Sequence, residues 1–262
     1  MLCRDIINII EEAYPKHAAL GWDNVGLLVG RMSKDVNKIY IAVDATDEVI
    51  EDAIQKGADL LVTHHPLIFS PLKTITDESF IGNRVVTLLQ HDISYYAMHT
   101  NYDVLTMGQL AGEKLGLEQM EVLDMTDIEK NIGIGQVGIF DEKVTLKECC
   151  ERVKHAFQLQ SVRLYGNPDT IIKKVAIVPG SGSKMAGIAK KKGAQVIVTG
   201  DIGHHEGIDA NAQNLAVIDA GHYGLEHIFI EDMERFSKNK ICNQDGSIEV
   251  IVADIIHPFQ VV

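Results

Sequence analysis

The sequence lacks any apolar run of the roughly 18 residues that a membrane-crossing helix needs. Its opening, Met1-Leu2-Cys3-Arg4-Asp5, carries an acid where a secretory signal would need an apolar stretch. Cysteine is sparse: Cys3, Cys149, Cys150 and Cys242 are scattered, no Cys-x-x-Cys pair occurs, and the adjacent Cys149 and Cys150 suit disulfide geometry poorly. These absences argue against a disulfide-stapled secreted domain and read as reduced thiols in a cytoplasmic protein. Positive charge is also short. Against 37 acids stand 24 bases, for a net charge of −13. The nearest thing to a basic cluster, Lys190-Lys191-Lys192, closes a predicted helix, where it matches the helix dipole. So acidic a surface repels a phosphate backbone and argues against nucleic acid as a partner. A metal-binding protein, by contrast, gains from a negative field.

What the chain has is length and alternation. Its 262 residues, 46% of them hydrophobic, suit one large α/β domain or two lobes of ordinary size. Helical spacing is predicted over Arg4–Tyr14, Asp47–Lys56, Phe80–His91 and Gly108–Leu115, and again from the capping box Thr145-Leu146-Lys147-Glu148 to about Phe157. Strands are predicted at Lys38–Ala45, Asp59–Thr63, Ile93–Met98, Ser161–Tyr165, Lys174–Val178, Gln195–Thr199 and Leu215–Asp219. The alternation predicts an α/β fold with mainly parallel or mixed sheets covered by helices.

An internal echo points to duplication. KIYIAVDATDEVIEDAIQKGADLLVTHH resembles KVAIVPGSGSKMAGIAKKKGAQVIVTGD, and Thr63 falls opposite Thr199. We therefore expect two similar lobes, residues 1–125 and 126–262, within one compact unit and without an inserted extra domain. The expected junction falls between about Leu117 and Asn131, where periodicity weakens. A cleft between such lobes is where a ligand is expected.

Three predicted strand ends carry metal-ligand residue types. Thr63-His64-His65-Pro66 follows a wholly apolar strand, at the carboxyl edge where open α/β sheets place their sites. Adjacent side chains in extended backbone point to opposite sides, so two neighbouring metals could take one imidazole each. A surface pair in a loop is the plain alternative. Gly221-His222-Tyr223-Gly224-Leu225-Glu226 places His222 and Glu226 one helical turn apart, on one face. That spacing also occurs in ordinary surface pairs. His99-Thr100-Asn101-Tyr102-Asp103 ends a third strand, and Asp103 could equally cap a turn.

These motifs, with Gly21-Trp22-Asp23-Asn24-Val25-Gly26-Leu27, Val178-Pro179-Gly180-Ser181-Gly182 and Thr199-Gly200-Asp201, resemble in order those of the Nif-three-like dinuclear metal proteins. Some members of that family carry the label GTP cyclohydrolase I type 2. The resemblance implies that His64, Asp103 and Glu226 serve one divalent ion, and His65 and His222 a second, with Glu226 bridging. It also implies a ring-shaped homohexamer with its sites facing an internal cavity.

Three imidazoles and two carboxylates suit Zn, Mn, Fe, Co or Ni, and five ligands for two ions leave positions open, as in catalytic rather than structural sites. The expected activity is metal-dependent hydrolysis of a small substrate, nucleotide-like by the family label. His99 and Tyr102 are candidates for orienting ligands or moving protons, or else for packing. A non-enzymatic metal-binding or delivery protein, and a metal-locked regulatory scaffold, are the other two classes.

Gly133-Ile134-Gly135-Gln136-Val137-Gly138 matches a dinucleotide fingerprint in letters, but strand continues past it where a helix should begin, so we reject it. Gly180-Ser181-Gly182-Ser183 reads either as an anion cradle or as a tight turn. His204-His205-Glu206 would face substrate or stand behind the ligands, and the resemblance does not make them metal ligands.

Overall fold

The computed structural model describes residues 1–261, which form two compact units. One holds Met1–Tyr102 with Phe229–Ile255, the other Asp103–Ile228 with residues 256–261. The chain thus leaves the first unit at Tyr102 and returns at Phe229, whereas the sequence expectation set one junction at 125/126.

In the first unit the strands are β1 (Gly26–Val29), β2 (Lys38–Ala42), β3 (Leu60–Thr63), β4 (Ser94–Ala97) and β11 (Glu249–Val252). They lie in the order β1-β4-β3-β2-β11, with β1 antiparallel to β4 and the rest parallel. Central β3 is buried along its whole length, as its unbroken Leu-Leu-Val-Thr run requires of a strand covered on both faces. The unit's helices are α1 (Cys3–Ala13), α2 (Asp47–Gln55), α3 (Phe80–Gln90) and α4 (Thr100–Tyr102). Thr46 caps α2 by accepting from the Val49 N–H, and Ser79 caps α3 through Gly82. Tyr40, Leu61, Val85, Leu88 and Tyr95 meet in the core, each stabilising by roughly 1.5–3 kcal/mol through burial.

The second unit contains α5 (Gly108–Leu115), β5 (Glu118–Asp127), β6 (Ile132–Thr145), α6 (Leu146–Ala156), β7 (Arg163–Tyr165), β8 (Ile171–Ser181), α7 (Ala186–Lys191), β9 (Val196–Gly200), α8 (His204–Ala212), β10 (Ala216–Asp219) and α9 (His222–Glu226). The chain then continues into α10 (Ile228–Ser237). Strand order is β5-β6-β8-β9-β10-β7, parallel only across β8-β9-β10. Both sheets are mixed. The echo in sequence is an echo in structure, because β2-α2-β3 and β8-α7-β9 are both parallel strand–helix–strand units.

The β5–β6 hairpin occupies the stretch expected to be a junction. Register shifts at Glu118/Glu121 and Met125/Asp127, with a left-handed Gln119 (φ 49°), break the period-two pattern that would have shown a strand. The GxGxxG run lies inside β6. A Cβ at Gly133 would stand 2.0 Å from the Asp124 carbonyl oxygen, so glycine there serves the close approach of two strands. The capping box at Thr145 and Glu148 forms as read. All four cysteines are free, and burial pushes the Cys149 thiol up to about 12, which keeps it unreactive. Among the described residues no helix is long and apolar enough to cross a membrane.

Candidate metal centre

His64 and His65 stand immediately beyond β3, and parallel pairing on both sides fixes where they emerge. Their amides bond the carbonyls of Ala42 (3.3 Å) and Val43 (2.9 Å), continuing the β2 ladder for two residues past the strand. The turn is then braced from below. Tyr95 Oη, fully buried, donates to the His65 carbonyl (2.8 Å), accepts from the Leu67 N–H (2.8 Å) and meets Thr63 Oγ1 (2.7 Å). Burial pushes that phenol up, so it stays protonated and keeps donating.

The imidazole orientations are set by partners on Nδ1. His64 Nδ1 lies 2.8 Å from the Met98 carbonyl oxygen. A carbonyl can only accept, so Nδ1 carries the proton and the lone pair sits on Nε2. His65 Nδ1 meets Asp44 Oδ1 at 2.7 Å, and His99 Nδ1 meets Asp23 Oδ1 at 2.8 Å. The three rings cluster, with centroids 5.0 Å apart for His64–His65, 5.4 Å for His64–His99 and 5.6 Å for His65–His99. Tyr102 stands 6.0 Å from the His64 ring, fully buried, its hydroxyl donating to Asp232 Oδ2 at 2.7 Å.

Asp23 accepts from both His99 and Thr100, the latter through its amide and its hydroxyl. Burial alone would push its carboxyl up; the hydrogen bonds from His99 and Thr100 outweigh it and hold the group at about 2, against an ordinary 3.8. A depressed carboxyl contributes stability that is fully present above the ordinary value and is lost as pH falls from 3.8 towards 2. Asp23→Asn should therefore cost about 2 kcal/mol at neutral pH. Urea unfolding of both proteins across pH 7 to 2 checks this: the gap should close below about pH 4, and a gap independent of pH would contradict it.

In the second unit, β10 ends at Asp219 and Gly221 turns the chain into α9 with φ 76° and ψ 149°, a conformation open only to glycine. The buried Asp219 carboxylate holds this turn, accepting from the amides of Gly221 (3.0 Å) and Ile202 (3.1 Å) and pairing with Arg163. His222 Nδ1 lies 2.7 Å from Asp201 Oδ2, and its Nε2 lies 3.1 Å from Glu226 Oε2. Asp201 takes left-handed backbone (φ 56°), mild strain of the kind that collects at functional sites. Glu226 is almost wholly buried, and Gly180, at φ 74°, makes room for it: a Cβ there would stand 2.5 Å from Glu226 Oε1. Thr199 Oγ1 accepts the Gly182 N–H (2.8 Å) and bonds the Gly180 carbonyl (3.3 Å). The Gly182 amide is thus engaged within a turn whose Gly180 packs on Glu226.

Asp103 opens a π-helical turn, Asp103–Met107, between α4 and α5, the kind of helical irregularity that recurs at functional sites. His204 and His205 lie exposed in the first turn of α8 with ring centroids 5.2 Å apart; among the described residues they enter no three-residue metal-holding group. A cavity of about 260 Å³ opens beside the Asp201 brace, lined by Arg163, Asp201, Asp219, Gly221, Phe259 and Val261 among others.

The donors suit a divalent ion. His64 and His65 offer imidazole nitrogens in the first unit, and Glu226 a carboxylate oxygen in the second. His222 Nε2 and Glu226 Oε2 face each other at 3.1 Å. With Nδ1 donating to Asp201, both facing atoms bear lone pairs, and that approach is favourable only with a proton or a cation between them. The carboxylates Asp44 and Asp201 are the residues that the motifs did not single out as braces. Each follows a strand parallel to the one that delivers the histidine it holds.

Strand ends bearing imidazoles and carboxylates on mixed α/β sheets define the class: a two-unit α/β protein with metal-ligand donor groups. The chain belongs to the Duf34/NIF3 (NGG1p interacting factor 3) family, whose model matches residues 1–258. A Clostridium perfringens protein named GTP cyclohydrolase 1 type 2 homolog is 36% identical over 255 residues, covering 97% of this chain and 96% of that one. A Clostridium acetobutylicum protein of the same name is 38% identical over 226 residues, 85% and 84% of the two chains. The crystal structure of a Bacillus cereus protein related to NIF3 superposes with a TM-score of 0.94 at 26% identity, over 100% and 99% of the chains. Reduced HcgD from Methanocaldococcus jannaschii gives 0.81 at 31% identity, over 97% and 98%.

Proposed function

We propose that this protein is a metal-dependent hydrolase of a small, nucleotide-like substrate. In this reading His64, Asp103 and Glu226 serve one divalent ion and His65 and His222 a second, with Glu226 shared. The observation that carries it is the anchoring of each ligand imidazole through Nδ1, on Met98, Asp44 and Asp201. That is how metal-ligating histidines are held in tautomer and orientation. Bound there, the ions would supply Lewis-acid activation of water and charge for the leaving group.

The chain's own residues have separate tasks. Asp44 and Asp201 keep the proton on Nδ1 of their histidines. Gly180 leaves space for the Glu226 carboxylate. His99, its Nδ1 held by Asp23, would move a proton at Nε2. We also propose that the protein works in the cytoplasm as a homo-oligomer, and its mass in solution tests the assembly.

The test replaces His64 and Glu226 together by alanine and screens phosphoester and amide substrates with metal-loaded protein. Hydrolysis by the parent, falling to the uncatalysed rate in a variant with an unchanged circular dichroism spectrum, supports the reading. Turnover that survives in the variant overturns it. Bound metal without turnover on any substrate would mark a binding or delivery protein, and collapse of the fold on metal loss a metal-locked scaffold.

A further inference from the structure

An exposed aromatic surface next to the histidine cluster is made by Trp22 and Phe69. Trp22 is 58% exposed and Phe69 52%, with ring centroids 5.8 Å apart. Scattered exposed apolar side chains need no account. Two in contact, both on pinned backbone, do. Asp23, next to Trp22, is fixed by His99 and Thr100, and its amide bonds the Leu20 carbonyl at 2.9 Å. Asn24 Nδ2 donates to the Ile68 carbonyl at 2.6 Å, which ties the Trp22 loop to the segment that carries Phe69. The pair is held in place without being buried.

Its position gives it a use. The Trp22 ring meets His99 edge-on at 6.0 Å, and His99 stands 5.4 and 5.6 Å from His64 and His65. An exposed aromatic pair therefore adjoins the half-buried His99, whose ring in turn meets His65 and the buried His64. We propose that Trp22 and Phe69 form a stacking platform for a planar aromatic or heteroaromatic ring, whose polar end is thereby directed at His99 and the histidine pair.

The platform is one-sided. A ring slipped between two parallel faces needs them roughly 7 Å apart, twice the carbon–carbon contact distance. At 5.8 Å and tilted by 49°, Trp22 and Phe69 form a corner, not a slot. The ligand lies on the outer faces, an arrangement that recognises flatness and tolerates different rings. A small amphipathic molecule fits better than another chain, because the apolar surface gives way to the His99 imidazole within a ring's length. This inference names the substrate class of the proposed hydrolase and rests on that reading for the chemistry, but its binding step can be measured alone.

Trp22 is the single tryptophan of the chain, so tryptophan fluorescence reports on this platform. The experiment titrates full-length protein, after chelator treatment and again after metal loading, with AMP, UMP and nicotinamide mononucleotide. Ribose 5-phosphate serves as the ringless control. Saturable quenching by at least one ring-bearing probe, absent with the control, is expected. Equilibrium dialysis of the same probe against Trp22→Leu and Phe69→Leu should show affinity weakened about tenfold or more, as loss of a base–aromatic stack does. No quenching by any of the three, or unchanged affinity in both variants, overturns the proposal. So does a fall in solution mass of Trp22→Leu with ring binding intact, since the pair would then be a contact between copies. Ring binding without hydrolysis would leave this inference standing and the hydrolase reading fallen; hydrolysis indifferent to both variants would do the reverse.

Discussion

Protein carrying His65→Ala and His222→Ala together is expected to purify with one equivalent of transition metal or none, where about two are expected of the parent. Each substitution removes an imidazole whose Nδ1 is already held by a carboxylate, His65 by Asp44 and His222 by Asp201. The lost imidazole is thus one whose orientation the fold has fixed in advance. Elemental analysis after dialysis against Zn²⁺ or Mn²⁺ makes the measurement. Asp44→Asn and Asp201→Asn form its second arm. They keep the ligands and loosen only their support, so metal should still bind at saturation but with affinity lower by about 10–100-fold. An unchanged stoichiometry in the double alanine variant would remove these two histidines from the centre. A parent that holds no metal after loading would remove the centre itself.

Much of this arrangement was legible in the sequence, and the part that was not has a physical cause. Thr63-His64-His65 and Thr199-Gly200-Asp201 sit at equivalent ends of two copies of one strand–helix–strand unit, a relation the echo displayed directly. The structure adds that the copies have divided the labour. Where the first has His65, the second has Asp201, which holds His222; where the first has Asp44, the second has Gly180, which yields its space to Glu226. The braces escaped notice because they come from neighbouring strands. Asp44 and His65 are 21 residues apart, as are Asp201 and His222, and no periodicity runs over that distance. Parallel pairing supplies the missing rule: an acid just past one strand can meet an imidazole just past the next. Asp23 reaches His99 across 76 residues, and only the fold brings them together. The β5–β6 hairpin was hidden for another reason, since its bulges erase the alternation by which strands are recognised.

The second large effect belongs to a residue with no chemistry of its own. Gly200 ends β9, and a Cβ built on it would stand 2.4 Å from the His222 nitrogen, 2.6 Å from the Gly221 carbonyl carbon and 2.7 Å from His222 Cα. All three are backbone atoms, so no side-chain rotation relieves the contact. The turn that carries His222 must move by about an ångström, and the Asp219 bonds to the Gly221 and Ile202 amides resist that movement. Gly200→Ala is therefore expected to cost about 3 kcal/mol, the upper part of the range for forcing atoms into a packed interior, and to weaken metal binding by displacing His222 from Glu226. Gly187→Ala is the matched control. That glycine lies exposed in α7, and a methyl group added there would meet no atom within 4 Å, so alanine should stabilise by about 0.5–1 kcal/mol through helix propensity. Urea unfolding of both variants, beside metal content, decides the matter. If Gly200→Ala unfolds with the parent and keeps its metal, close packing of β9 on the His222 turn does not position the ligand. If it is destabilised and loses metal while Gly187→Ala does neither, a methyl group placed one residue before Asp201 has disabled the site by shape alone.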